Sequence, residues 1–493
     1  MKERSREARS TSRRELLRQQ GKRLHRYLEK TVLPFSKHYG KFEQDLRRVR
    51  CVEDLRHLPF TTKKDVQDHP LDFVLVPDKK ILARRPATIL RALRQGRRAV
   101  EESFEHEFRP VFMTFTSGRS NQPLPFLYTG RDLHHLQTAG GRIMRICGAK
   151  REMRMINMFP YAPHLAFWQS HYAGTEFGVF MVSSGGGKVV GTEGNLRLIE
   201  KLNPEVLIGM PTFIYHVLQE AISRNIRCPK LVRIILGGEK APAGMRRKLI
   251  AMAAQLGAGQ VDALMTYGFT EAKMAWPECP YPEVAESAGF HLYPDLGLVE
   301  IIDPKTGEPV GEGQPGEIVY TPLDARGTVV LRYRTGDLIE GGLVHEPCPH
   351  CGRCVPRLVG RISRTSEVRE MNLDKLKGTL IDFNQLEHVL DNVDSIGTWQ
   401  LELRKAHDDP MELDELILHV EKTDHADESR LRQELNEKVV SAVEVHPNRI
   451  VFESPEAMRR LQGVNLQLKE QRVVDHRPKP GNETAVHHNG DRP

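Results

Sequence analysis

Five short segments carry most of the residues able to do chemistry in this 493-residue chain: Thr116-Ser117-Gly118, Gly237-Gly238-Glu239, Tyr267-Gly268-Phe269-Thr270-Glu271, Tyr333-Arg334-Thr335-Gly336-Asp337 and Gly360-Arg361. Any one is common; the ordered set is not. Hydroxyls and glycine around Thr116, Ser117, Gly118 and Ser120 leave main-chain N–H groups open to anionic oxygens. Asp337 is an acid able to accept two neighbouring hydroxyls. Glu271 reads either as a working carboxylate or as a helix-start acid favoured by the dipole. A further cluster, Cys348-Pro-His-Cys351-Gly-Arg-Cys354, has the spacing of half a tetrahedral zinc site and equally that of a turn with reduced thiols.

The elements that must position these residues follow from pattern. Between Phe112 and Asp337, β-rich runs alternate with helical ones. Val206 to Gly209 precedes a helix near Thr212, and Val232 to Leu236 precedes Gly237-Gly238-Glu239-Lys240 and another helix. Such alternation predicts a mostly parallel sheet with crossover helices, whose ligands bind at the carboxyl ends of the strands, where Gly238 and Tyr267 fall. After Arg361 the order becomes α, β, β, α, β. Phe383, Leu386, Val389, Leu390 and Val393 mark one helix, Leu431, Leu435, Val439 and Val443 the other.

A chain of this length with 39% hydrophobic residues predicts two or more domains. No apolar run approaches the ~20 residues of a membrane span, and the charged stretch Met1 to Lys30 lacks a signal-peptide core; a cytoplasmic protein is expected. Seven cysteines, three of them clustered, fit a reduced compartment. Residues 1–30 hold eleven Lys/Arg against four Asp/Glu. Nucleic acid, anionic lipid or an acidic partner would suit that charge, and a solvated helix is the plainer reading.

The five segments together resemble the adenylate-forming superfamily. Leu58-Pro59-Phe60-Thr61-Thr62-Lys63-Lys64-Asp65, Ser184-Gly185-Gly186, Cys351-Gly352-Arg353 with Pro356-Arg357, and Arg472-Val473-Val474-Asp475 resemble its phenylacetate–coenzyme A ligase family, from about Tyr39 to Arg477. The resemblance implies an α/β fold. A large N-terminal adenylate-forming domain with mixed and parallel sheets (39–361) would precede a small mobile α+β domain (362–477). The large domain carries a basic inserted helix (79–106), and outside the two domains lie a basic N-terminal extension (1–38) and a disordered tail (478–493).

It also implies roles. Thr116, Ser117, Gly118 and Ser120 would form the phosphate loop, although Asn121 and Gln122 replace the family's Gly and Lys there. Gly238, Glu239 and Lys240 would lie against adenine and ribose, Tyr267 and Gly268 beside the adenine, and Asp337 and Arg361 at the ribose. Thr270 and Glu271 would be catalytic, Glu271 holding Mg²⁺, and Lys469 would be the adenylation lysine. Phe159, Tyr161, His164 and Trp168 would line the acyl pocket. Cys279 and His291 would complete zinc with Cys348 and Cys351, with His345, His350 or Cys354 as substitutes. The family's acidic hinge pair is replaced by Ser363 and Arg364.

The implied activity is ATP-dependent activation of an aryl or arylacetic acid through an acyl-adenylate, followed by thioester formation with coenzyme A. Two alternatives stay open: adenylation with another acceptor such as an acyl carrier protein, and a silenced nucleotide-binding scaffold. A homodimer is compatible with the chain.

Overall fold

The computed structural model describes residues 12–116, 123–282, 286–364, 368–374, 377–408, 412–423, 426–443, 445–467 and 470–477, with 368–374 and 377–380 described by backbone alone. The chain divides into two compact units, Met1–Ala241 with Leu249–Thr365, and Pro242–Lys248 with Ser366–Pro493.

The larger unit is built on a six-stranded sheet in the spatial order Phe180–Ser183, Arg154–Asn157, Val206–Gly209, Arg233–Leu236, Asp262–Phe269 and Met274–Pro277. The first five strands are parallel and the sixth antiparallel. Val206–Gly209 is buried along its whole length, as expected where helices cover both faces. The helices Leu165–Phe177, Gly187–Leu202 and Pro211–Ser223 make the crossovers. Beside it stands an antiparallel sheet of Gly297–Ile302, Gly316–Pro322, Tyr333–Ile339 and Ile362–Arg364.

Residues 12–38 are not a solvated extension. Leu24, Tyr27, Leu28, Val32 and Phe35 are buried in one cluster with Leu323, Val329 and Leu331. Tyr27 donates to the Ala325 carbonyl at 2.8 Å, and Gln20 to that of Pro294 at 2.9 Å. The charges of the helix Arg13–Tyr27 occupy its outer face while an apolar stripe at helical spacing enters the core. The basic insertion is three helices, not one: Lys79–Ala83, Pro86–Gln95 and Arg97–Phe108.

In the smaller unit a sheet ordered Arg449–Glu453, Asp414–Lys422, Ile396–Lys405, Val473–Asp475 packs on the helices Phe383–Asp391 and Glu428–Val443. The predicted α, β, β, α, β order is present. The hairpin of Val368–Asp374 with Lys377–Asp382, the helix Pro455–Leu461 and the last strand are additional. Residues 478–493 lie outside the described residues.

Candidate active site

The site gathers where the six-stranded sheet and the four-stranded antiparallel sheet of the larger unit offer strand ends and motif residues. Tyr333 and Asp337 lie on one strand whose register slips. Arg334 pairs with Val319 and Leu338 with Glu317, so Thr335, Gly336 and Asp337 bulge opposite Ile318. Gly336 takes φ +72°, a backbone setting that favours glycine. The Thr335 hydroxyl donates to the Ile318 carbonyl at 2.8 Å and accepts from the Asp337 amide at 3.0 Å. A bulge of this kind re-aims a side chain. Here it turns Asp337 toward the six-stranded sheet, where Tyr267 donates to Oδ2 at 2.8 Å. Burial, and then the Asp337 charge, push the Tyr267 phenol well above its ordinary range, so it stays a donor.

Asp337 Oδ1 accepts from Arg364 Nε at 2.8 Å, while Asp337 itself is buried. Arg364 thus covers the carboxylate expected to take ribose, and its side chain remains about half exposed. A nucleotide whose ribose takes Asp337 must displace this half-exposed guanidinium from a buried carboxylate. Arg364→Ala should therefore tighten ATP binding by calorimetry, about fivefold or more on the scale of one hydrogen bond at ~1 kcal/mol. A loss of affinity would instead put the guanidinium on the nucleotide.

Glu271 is the middle residue of the short 3₁₀ turn Thr270–Ala272 that follows the strand Asp262–Phe269. Tyr333 donates to Glu271 Oε1 at 2.7 Å, which is the reciprocal of the Tyr267–Asp337 bond: each sheet supplies a phenol for the other's carboxylate. Burial raises the Glu271 carboxyl above its usual range against the pull of Tyr333, with Arg364 lowering it and Asp337 raising it further. A half-buried carboxylate held at one oxygen and beside a second acid is suited to a hard divalent cation. Thr270 donates to the Phe115 carbonyl at 3.3 Å, and His164 Nδ1 lies 3.1 Å from the same oxygen. Both are therefore fastened to the base of the 116–122 loop. Thr116 closes that base, its amide donating to Leu124 O and its hydroxyl accepting from Leu124 N. Ser117, Gly118, Ser120, Asn121 and Gln122 lie outside the described residues.

Gly237 and Gly238 follow the strand Arg233–Leu236 directly. A Cβ at Gly237 would sit 2.4 Å from the Thr266 hydroxyl, and Gly238 has φ +79°, so this turn admits little but glycine. Glu239 accepts from the Thr212 hydroxyl at 2.9 Å, tying the turn to the head of the preceding helix, Pro211–Ser223; Lys240 is half-buried. Phe159 is buried with its ring against the same turn, whereas Tyr161 is 62% exposed. Tyr161, Phe167 and Trp168 form an aromatic group, and Phe112 packs edge-on to Trp168 at 5.1 Å. Arg361 makes a bidentate pair with Glu340 on the surface and does not reach Asp337. Lys469 lies outside the described residues. The anchor three residues later is plain: Arg472 pairs with buried Asp391 and lies 4.1 Å over Trp399.

Cys279, His291, Cys348 and Cys351 converge, all four ligand atoms within 4.8 Å of one another. Cys279 and Cys348 sulfurs are 3.7 Å apart, and Cys351 Sγ is 3.2 Å from His291 Nε2. A tetrahedral zinc with bonds of about 2.0–2.3 Å holds its donors roughly 3.3–3.8 Å apart, close to the 3.2 and 3.7 Å separations here, so the donor set fits. His291 Nδ1 faces the Pro277 carbonyl at 3.3 Å, which leaves Nε2 for a metal. A hydrogen bond from Cys279, joined by one from His291, pulls Cys351 far toward its thiolate, while that bond and burial push Cys279 the other way. Among the substitutes, His345 bonds Glu312 and His350 the Glu286 carbonyl.

Sequence reasoning gave no individual role to Tyr333, Arg364 or Phe112. Tyr333 stood inside the quoted motif; Arg364 was visible only as a departure from it; Phe112 has no local signal.

Fold and motif geometry define an AMP-binding enzyme: the chain belongs to that family, whose model matches residues 40–323. Among curated relatives it is 28% identical over 350 residues to the phenylacetate–coenzyme A ligase of Thermus thermophilus, covering 70% of this chain and 69% of that one. It is 24% identical over 380 residues to that of Escherichia coli, covering 76% and 74%. Among solved structures, a 2-hydroxyisobutyryl-CoA ligase in its postadenylation state superposes with TM-score 0.70 at 18% identity, covering 93% of this chain and 89% of that one; the likeness shows the fold. Among the described residues no helix is long and apolar enough to cross a membrane.

Proposed function

We propose that this protein is an AMP-forming acid–thiol ligase that converts an aryl or arylacetic acid to its coenzyme A thioester. The carboxylate attacks the α-phosphorus of ATP and expels pyrophosphate; the thiol sulfur then attacks the acyl carbon and expels AMP. The observation that carries this reading is the crossed pair of phenol–carboxylate bonds, Tyr267 to Asp337 and Tyr333 to Glu271. It sets two oriented acids at the carboxyl ends of the parallel strands.

Asp337 accepts the ribose hydroxyls, the Gly238–Lys240 backbone and Tyr267 border the adenine, and the loop based at Thr116 receives the phosphates. Glu271 would hold Mg²⁺, which supplies charge neutralisation on phosphate oxygens. The aromatic group of Phe112, Tyr161 and Trp168 supports a flat acid. The Cys279, His291, Cys348 and Cys351 set would hold a structural zinc. Coenzyme A is favoured over an acyl carrier protein by the names of the relatives, and a cytoplasmic setting by the reduced cysteines.

Pyrophosphate release across a panel of carboxylic acids, with hydroxylamine trapping of the adenylate and a separate coenzyme A consumption assay, tests the proposal. Release with consumption is expected. Release without consumption would point to another acceptor, and ATP binding without release to a scaffold. Asp337→Ala should weaken ATP binding at least about tenfold, the scale of a hydrogen bond to a charged group at ~1.5 kcal/mol. Unchanged affinity by calorimetry would remove the ribose role.

A further inference from the structure

Between Lys79 and Arg98 stand eight Lys/Arg (79, 80, 84, 85, 91, 94, 97 and 98) and no acid. This stretch forms the helices Lys79–Ala83 and Pro86–Gln95 and the start of Arg97–Phe108. The middle helix has no buried residue. Its body-facing side is Thr88 and Ala92, both half-buried, with Arg91 donating to Ser103 of the next helix at 3.1 Å.

The opposite arc holds Ile89, Leu90 and Leu93, exposed at 49%, 50% and 80%, and Ile81 of the preceding helix is 41% exposed. At 100° per residue these three fall within one apolar face, with Arg94 at its edge. The helix is therefore amphipathic in the reverse sense for a protein surface: its aliphatic face points to solvent.

We propose that this face docks on the surface of an anionic phospholipid membrane. An interfacial helix needs a continuous aliphatic face to enter the acyl boundary and cations at its margin to meet lipid phosphates, and both are present on one ten-residue element. The element is too short to span a bilayer. Nucleic acid would satisfy the eight cations but has nothing to receive Ile89, Leu90 and Leu93, since its backbone contacts are electrostatic. The surface thus selects a partner that is both charged and apolar.

Full-length protein is sedimented with vesicles of phosphatidylcholine alone and of phosphatidylcholine with phosphatidylglycerol, at low and high salt. At least about tenfold stronger partition onto the anionic vesicles is expected, weakened but not abolished by salt, because charge is screened and apolar burial is not. Leu90→Ser with Leu93→Ser should lower that partition about tenfold, as should Arg94→Glu with Arg97→Glu, with melting temperature and pyrophosphate release unchanged. No preference for anionic vesicles, or a leucine pair whose loss leaves partition unaltered, overturns the proposal. Tight duplex DNA or RNA binding that is indifferent to the leucine pair and strips the protein from vesicles reassigns the surface to nucleic acid.

Discussion

Lys469→Ala is expected to slow pyrophosphate release by ~100-fold or more while leaving the use of a supplied acyl-adenylate and coenzyme A near the wild-type rate. Removing one donor that stabilises developing negative charge costs about that much, and a lysine that meets the α-phosphate contributes only while the phosphate bond is breaking. The strand that begins four residues later is well anchored: Arg472 is clamped to Asp391 and Trp399, and Val473 pairs with Leu401 in the small sheet. None of these contacts involves Lys469, so the substitution removes a charge and leaves them in place. Equal loss in both half-reactions would make Lys469 structural, and no loss in either would place the adenylation lysine elsewhere in the chain.

The second large effect concerns the Cys/His knot. Freshly purified, tag-free protein should carry about one zinc per chain by elemental analysis, and Cys348→Ser should lose it. Because the ligands are assembled only in the folded chain, metal affinity is folding energy, on the order of 10 kcal/mol for a structural site. The melting temperature should fall by on the order of 10 °C. Nucleotide affinity should fall as well. The knot joins Cys279, three residues past Trp276, to His291, next to Phe290, and both of those rings pack on Tyr267, 6.0 and 5.8 Å away. Slackening it loosens the phenol that orients Asp337. Metal-free protein with wild-type melting and ATP affinity would show four reduced side chains with no structural duty.

What could be read in advance was whatever has a local cause. Thr335-Gly336-Asp337 stands out because each residue has a task within the bulge itself: a hydroxyl for a carbonyl, a positive φ, an acid to aim. The Cys348/Cys351 spacing is equally local. Their partners lie 69 and 60 residues away in sequence, so only the family resemblance suggested Cys279 and His291. The two phenol–carboxylate bonds span 70 and 62 residues and leave no periodicity. Arg364 shows a different limit. A missing hinge acid reads as a lost function, whereas the arginine makes a contact of its own with Asp337. At the N-terminus the charge count hid an apolar stripe, Leu24, Leu28, Val32 and Phe35, that was present at helical spacing.

The burial of that N-terminal stripe also fixes an order of events on the ribosome. Tyr27 finds its acceptor 298 residues downstream, and Tyr39 its donor 292 residues downstream. At ~5–20 residues per second, synthesis delivers those two partners roughly 15–60 seconds after the first helix. Until then the stripe can pack only on nearer members of its cluster, such as Leu46, Val49 and Leu55, and the cluster is completed when Leu323, Val329 and Leu331 emerge. The first-made segment of this unit is therefore among the last to have its contacts completed.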